Sequence, residues 1–398
     1  MSSNFTLLRA DQYLGILKET ITQNPVEIKN VEYHEGRSYD GDWQPFLAGG
    51  YWGRNDTWYR FRAEFTVPEE FAGKYVRVVL RTGREALWNA LNPQLLVRVN
   101  GTVVQALDTN HHSFPLSFSA QAGTVYKLDF ETYAGREYDT QSFHDLPAQF
   151  VLTAYCHDRL SEQVYYDFYT ARKAAELHPE TDYRRIQIET YLTRAMNLLD
   201  CRIPGSADYF ASLKEAARFM REEFYGKLCK DDSVIANCIG HTHIDVAWLW
   251  RLEQTRAKAV RSFSTELALM DEYPEHFFMS SQPQLYEYVK QDCPEVYEKI
   301  KQRVKEGRWE VEGAIGLEAD CNLSSGESLI RQILHGKRFM QQEFGVDSHI
   351  LWLPDVFGYS AALPQILKKT GVDTFVTSKI HWSETNHFPY DTFYWKGV

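Results

Sequence analysis

The stretch SVIANCIGHTHIDVAWLW, residues 233–250, decides how the chain is to be read. It opens on a short apolar run, turns polar at Gly240-His241-Thr242-His243-Ile244-Asp245, and passes into a long helical pattern from 247. The same succession recurs downstream, with FFMSS before a helix from 284, WEVEG before a helix from 325, HILWLP before a helix from 361, and then DTFVT. Short apolar runs alternating with helices are parallel β/α units, whose strands are covered on both faces and so lack polar alternation. In such units the side chains that do chemistry sit just past the carboxyl ends of the strands. That rule singles out the HTHID segment after the first run and Leu353-Pro354-Asp355-Val356-Phe357-Gly358 after the fourth.

Upstream the texture changes twice. Segments near 159–177, 183–200 and 208–228 are helical, with a break at Arg202-Ile203-Pro204-Gly205. Before them, Tyr59, Phe61, Ala63, Phe65 and Val67 alternate with mostly polar neighbours as in a half-buried strand that Pro68 ends. Similar strands are predicted at 75–80, 95–99, 102–106, 125–132 and 149–155, and Asn100-Gly101 is a strong hairpin signal. An apolar stripe of Leu7, Leu8, Tyr13, Leu14, Leu17 and Ile21 predicts an amphipathic helix over residues 5 to 24. The predicted architecture is multidomain α/β and β: a lead-in helix at 1–27, a jelly-roll-like antiparallel β-sandwich at 28–157, a helical connector at 158–230 and a (β/α) domain at 231–398.

The 43 basic and 54 acidic residues leave a formal charge of −11, which disfavours nucleic acid and anionic membranes as partners. No run approaches the roughly 18 apolar residues of a membrane span, and the amino terminus does not read as a secretion signal. Six scattered cysteines without a CxxC pair fit reduced thiols and a cytoplasmic location. Asn55-Asp56-Thr57 and Asn100-Gly101-Thr102 then read as turns rather than glycan acceptors. Self-association is left open. Trp43, Tyr51, Trp52 and Trp58 form the exposed-looking aromatic cluster to test for sugar stacking, although aromatics serve equally as core.

Residues two apart in extended chain face one side, so His243 and Asp245 can point into one cavity. Imidazole nitrogen and carboxylate oxygen suit zinc or another borderline divalent ion, and Asp355 could supply a third ligand from across the rim. The same residues admit a plainer reading, in which His241 caps a helix, His243 hydrogen-bonds a backbone carbonyl, and Trp248 and Phe357 are core. His241 is the weaker ligand candidate, and a hydrogen-bonding role beside the metal suits it at least as well.

Four ordered blocks carry a family resemblance: GHTHIDVAWLW, RSFSTELALMDEYPEHFFMSSQPQLYEYVK, LEADCNLSSGESLIRQ and LWLPDVFGYSAALPQIL. Residues 233 to 398 resemble the catalytic domain of glycoside hydrolase family 38, the α-mannosidases, and the whole most resembles the cytosolic type with a preceding β-sandwich. The resemblance implies zinc-dependent, retaining hydrolysis of terminal α-D-mannosyl residues of mannosides or oligomannose glycans. It implies His243, Asp245 and Asp355 as zinc ligands, Asp355 also as nucleophile, Trp248 and Phe357 as the lining of the sugar subsite, and, on weaker grounds, Lys379 as a polar contact.

The family pattern also expects a fourth ligand, a histidine, and a general-acid aspartate well downstream, yet only 43 residues follow Asp355. His381 and His387 fall too early, and Asp391 precedes a further predicted strand, TFYWKG. Five or six strands in this region are fewer than a complete barrel of about 250 residues holds. The expectation is an incomplete, seven-stranded-type (β/α) barrel in an amino-terminal portion of a longer enzyme, lacking acid and fourth ligand. Gly316 stands where the family commonly has Trp, which puts subsite packing there in doubt. Two alternatives remain. A metal-dependent amidohydrolase would place histidines after later strands, and none follows WEVEG or HILWLP. A non-catalytic carbohydrate-binding protein would rely on the sandwich.

Overall fold

Leu7, Ala10, Leu14 and Leu17, spaced by three or four, are the buried stripe of helix α1 (Asn4–Ile21). The computed structural model describes residues 4–84, 93–135, 147–230 and 233–398, so residues 1–3 of the lead-in segment and 231–232 of the (β/α) domain lie outside it. The helix ends earlier than its pattern predicts, because Pro25 cannot continue it. Thr22–Ile28 instead forms β1, with Asn24 at φ 49° inside an irregularity of its ladder. The β unit therefore begins at residue 22 rather than 28.

The next strands are β2 (Glu32–Glu35), β3 (Gln44–Pro45), β4 (Trp58–Thr66), β5 (Val76–Arg81), β6 (Leu95–Val99), β7 (Thr102–Leu107), β8 (Ser113–Ser117), β9 (Val125–Tyr133) and β10 (Val151–His157). They form two antiparallel sheets, ordered β1-β10-β5-β8 and β3-β2-β4-β9-β6-β7. Tyr59, Phe61, Ala63, Phe65 and Val67 meet Val76, Val78, Leu80, Leu152 and Ala154 in one shared core, as the alternation requires. Asn100 and Gly101 turn the β6–β7 hairpin with φ 51° and 84°. The sequence reading omits β8, whose Pro115 weakens a strand signal; at the sheet edge its missing N–H is harmless. Trp52 is not exposed as expected but 4% accessible, edge-on to Tyr59 and Phe61 with its indole N–H donating to the Gln149 carbonyl.

Helices α2 (Arg159–Glu176), α3 (Tyr183–Leu198) and α4 (Ala207–Phe219), the last continued by a π-helical segment at Met220–Leu228, make the connector. Asp158, Asp182 and Ser206 cap them by accepting from backbone N–H groups, and α1 packs into the same core.

Beyond residue 233 come β11 (Gly240–His241), α5 (Leu252–Glu272), β12 (Phe278–Ser280), α6 (Pro283–Asp292), α7 (Pro294–Lys305), β13 (Trp309–Val311), α8 (Gly326–Phe344), β14 (Ile350–Trp352), α9 (Leu363–Lys369) and β15 (Thr374–Val376). The strands are parallel, in the sets β11-β12-β13 and β14-β15. A backbone bond from Ala314 N to Ile350 O at 2.9 Å links the two sets. The first strand is shorter than SVIANCIG predicts: Val234 and Ile235 are 85% and 78% exposed, and pairing starts at Gly240. TFYWKG is not a strand either, since Tyr394 projects fully into solvent while Trp395 packs on Phe375.

The two-sheet unit is bolted to α5 by a buried cluster in which Glu272 accepts from Tyr75 Oη at 2.7 Å and from Arg77 at 2.7 and 2.8 Å. Burial would raise the Glu272 pKa, but Arg77 and the Tyr75 hydroxyl outweigh it and hold the carboxyl below its ordinary value. Glu272→Gln leaves Arg77 buried without its counter-charge and is expected to cost about 3–5 kcal/mol in denaturant unfolding. Because the folded-state pKa is lowered, this contribution is present above the unfolded carboxyl value of about 4.3 and is lost as pH falls through the folded one. Wild type and variant should therefore converge in stability towards strongly acidic pH.

Candidate functional site

The HTHID segment leaves β11 through Gly240, where a Cβ would sit 2.9 Å from His276 Cε1 and 3.2 Å from the Phe277 carbonyl oxygen. Next to it, His241 Nδ1 lies 3.0 Å from the Met279 carbonyl, and its Nε2 lies 3.2 Å from Trp352 Nε1. A carbonyl only accepts and an indole N–H only donates, so the ring is the Nδ1–H tautomer with both nitrogens engaged. His241 thus ties β11 to β12 and β14 and is no free ligand, in line with the hydrogen-bonding role weighed for it.

His243, Asp245 and Asp355 converge. One donor atom from each lies within 4.8 Å of the other two, and all three side chains are partly accessible. His243 Nε2 is 3.4 Å from Asp245 Oδ1 and 3.4 Å from Asp355 Oδ2, while its Nδ1 lies 3.0 Å from Glu318 Oε2, off the hydrogen-bonding direction. Burial opposes charge on the ring, but Glu318, and after it Asp245, outweigh that and push its pKa up to about 9. Glu318 and Asp245 thus favour positive charge at this point. Two carboxylates and an imidazole around one point, with a buried carboxylate behind the histidine, fit a divalent ion and its outer shell.

Glu318 is a residue the sequence reading did not assign. Its side chain is 4% exposed, and its Oε1 accepts from Ser281 Oγ at 3.3 Å. Gln282, also unassigned, is buried at φ 64° and joins two rim segments: its Oε1 accepts from Glu318 N at 3.3 Å and its Nε2 donates to Ile244 O at 3.0 Å. A left-handed non-glycine residue held by both ends of its side chain is strain fixed by its surroundings. The available signal was positional, since both follow strand ends, on the rim that selected Asp355.

Asp355 Oδ1 lies 3.1 Å from Lys379 Nζ. That ammonium sits 5.7 Å from the Phe357 ring centroid and 5.8 Å from that of Trp382, two rings packed 5.1 Å apart. Trp248 and Phe357 are not core: they are 61% and 60% exposed, and Trp248 stands edge-on to Trp250. At Gly316 a Cβ would meet Gln332 Oε1 at 2.7 Å, and that oxygen accepts from Leu317 N, so a side chain from α8 occupies the space beside this glycine. His381 lies outside the cluster, 3.8 Å from Asp391.

His243, Asp245 and Asp355 thus gather past the ends of strands in parallel β/α units. Residues 233–398 match the model of the glycosyl hydrolases family 38 N-terminal domain. Among curated proteins, it is 44% identical over 178 residues to Alpha-mannosidase G of Dictyostelium discoideum, covering 45% of this chain and 16% of that protein. It is 35% identical over 272 residues to an Alpha-mannosidase of Saccharomyces cerevisiae, covering 65% and 24% respectively, and 41% identical over 182 residues to human Alpha-mannosidase 2C1, covering 46% and 18%. The yeast match is longer than the family domain and so reaches into the connector or the two-sheet unit. The chain spans between 16% and 24% of the length of these relatives.

Proposed function

We propose that the chain carries the nucleophile and metal-binding part of an α-mannosidase that hydrolyses terminal α-D-mannosyl residues of mannosides or oligomannose glycans with retention of configuration. The observation that carries this reading is the meeting of His243, Asp245 and Asp355 from two strand ends within a family 38 domain. Asp355 is the nucleophile: a carboxylate oxygen attacks the anomeric carbon and a glycosyl ester forms, which water then hydrolyses. Lys379 orients the carboxylate through its other oxygen. Trp248 and Phe357 offer exposed flat faces to the sugar's C–H surface. His243, Asp245 and Asp355 would hold zinc, which when bound supplies a Lewis acid for the sugar hydroxyls. Glu318 fixes the His243 ring from behind, and Glu318→Gln is expected to lower zinc affinity about 10- to 100-fold by competition against a chromophoric chelator.

A retaining enzyme also needs an acid about 5–5.5 Å from the nucleophile. Asp245 and Glu318 are committed to His243, and Asp391 is fully exposed beside His381, so we assign the acid to no residue of this chain. The chain alone should therefore turn over an aryl α-mannoside poorly with zinc present; robust turnover would show that the acid lies within it. We read the two-sheet unit as a β-sandwich and the parallel strands as part of a (β/α) barrel. Six free cysteines support a cytoplasmic setting, and among the described residues no helix is long and apolar enough to cross a membrane.

A further inference from the structure

We propose that the two-sheet unit holds a second saccharide site, a groove of about 890 Å³ on the outward face of the six-stranded sheet, for a neutral oligosaccharide. None of the residues lining it belongs to the rim around Asp355. Its wall is the segment between β2 and β3, which presents Tyr39 and Trp43; its floor is Glu32 of β2, Arg62 and Glu64 of β4, and Lys127 and Asp129 of β9.

The floor is a lattice of opposed charges. Glu32 stands opposite Arg62, Arg62 opposite Asp129, and Glu64 opposite Lys127 across the ladder. Three carboxylates and two cations nearly cancel, so the groove has little field to attract a polyanion or polycation. It offers donors and acceptors side by side, at a strand spacing of about 4.8 Å that is close to the width of a pyranose ring. Vicinal hydroxyls, each donor and acceptor at once, match such a row.

The aromatic wall is set in advance. The Arg62 guanidinium lies 4.1 Å from the Trp43 ring centroid, His34 stands edge-on to it at 4.6 Å, and the indole N–H reaches the Tyr39 carbonyl at 3.4 Å. Arg60 covers Tyr39 at 3.7 Å, and the Tyr39 hydroxyl donates to Asp129 Oδ1 at 3.2 Å. Rings already held in place lose little rotamer freedom when a ligand stacks on them. A surface ion-pair lattice alone would leave a flat face; here two fixed rings make it concave.

The test uses the full chain carrying Asp355→Ala in EDTA, so that the rim site is disabled, with mannohexaose, cellohexaose and chitohexaose as probes in saturation-transfer NMR and calorimetry. At least one should bind. Trp43→Ala should weaken that binding at least tenfold, and Trp248→Ala should leave it unchanged. If Trp43→Ala lowers the melting temperature, the exposed pair Glu64→Ala and Lys127→Ala decides with the same expectation. Binding of none of the three, binding indifferent to the Trp43 and floor changes, or binding lost with Trp248 would overturn the proposal.

Discussion

Treated with an α-mannosyl fluoride bearing a second ring fluorine, the chain is expected to gain one glycosyl mass on the peptide containing Asp355, and the Asp355→Ala variant none. Fluoride departs without proton assistance, so this step isolates the nucleophile from the question of the acid: the bond from the carboxylate oxygen to the anomeric carbon forms as carbon–fluorine breaks. Whatever turnover of an aryl α-mannoside the wild-type chain shows should fall by at least about 10⁴-fold in the same variant, the scale on which loss of a nucleophile is felt. Labelling at another carboxylate, such as Asp245, would reassign the role. The Lys379 ammonium 3.1 Å from Asp355 sharpens the case: Lys379→Met should slow labelling while leaving its position unchanged.

The second large effect concerns the ion. His243→Ala removes the only imidazole of the donor cluster and leaves Asp245 and Asp355 as two like charges facing each other. Zinc affinity is expected to fall by more than about 100-fold, beyond what the loss of an outer-shell partner does. Equilibrium dialysis on the intact chain measures it, with circular dichroism to show that the fold persists. Tight, stoichiometric zinc in His243→Ala would place the ion elsewhere.

What could be read from the sequence was whatever a local period records. Tyr59 to Val67 alternates because one sheet face is buried, and Phe278 to Ser280 does not because both faces are. His243, Asp245 and Asp355 were reachable because a strand end fixes where the following side chain goes. Features decided by distant partners were not legible. Trp52 is core only because Tyr59 and Phe61 close over it, and β1 exists only because β10 offers it a ladder. His241 stayed ambiguous until Trp352, 111 positions later, placed an indole N–H against its ring. Glu318 and Gln282 had only their place after strand ends to mark them; their roles come from what they touch. SVIANCIG and TFYWKG misled for the converse reason, since an apolar run becomes a strand only where a neighbour pairs with it and something covers it.

Asp355 lies 110 positions beyond Asp245, on the far side of the link between the two parallel strand sets. Closing a loop of that length costs on the order of 4 kcal/mol of chain entropy, more than two partly solvated side chains recover by meeting. The apolar contacts beneath the rim meet that cost, so the donor cluster is a product of tertiary docking. A peptide spanning residues 233–250 would offer its histidines and Asp245 on a flexible chain with nothing opposite. Ion capture at the proposed site would accordingly report completed assembly: it would register whether two halves of a fold have found each other.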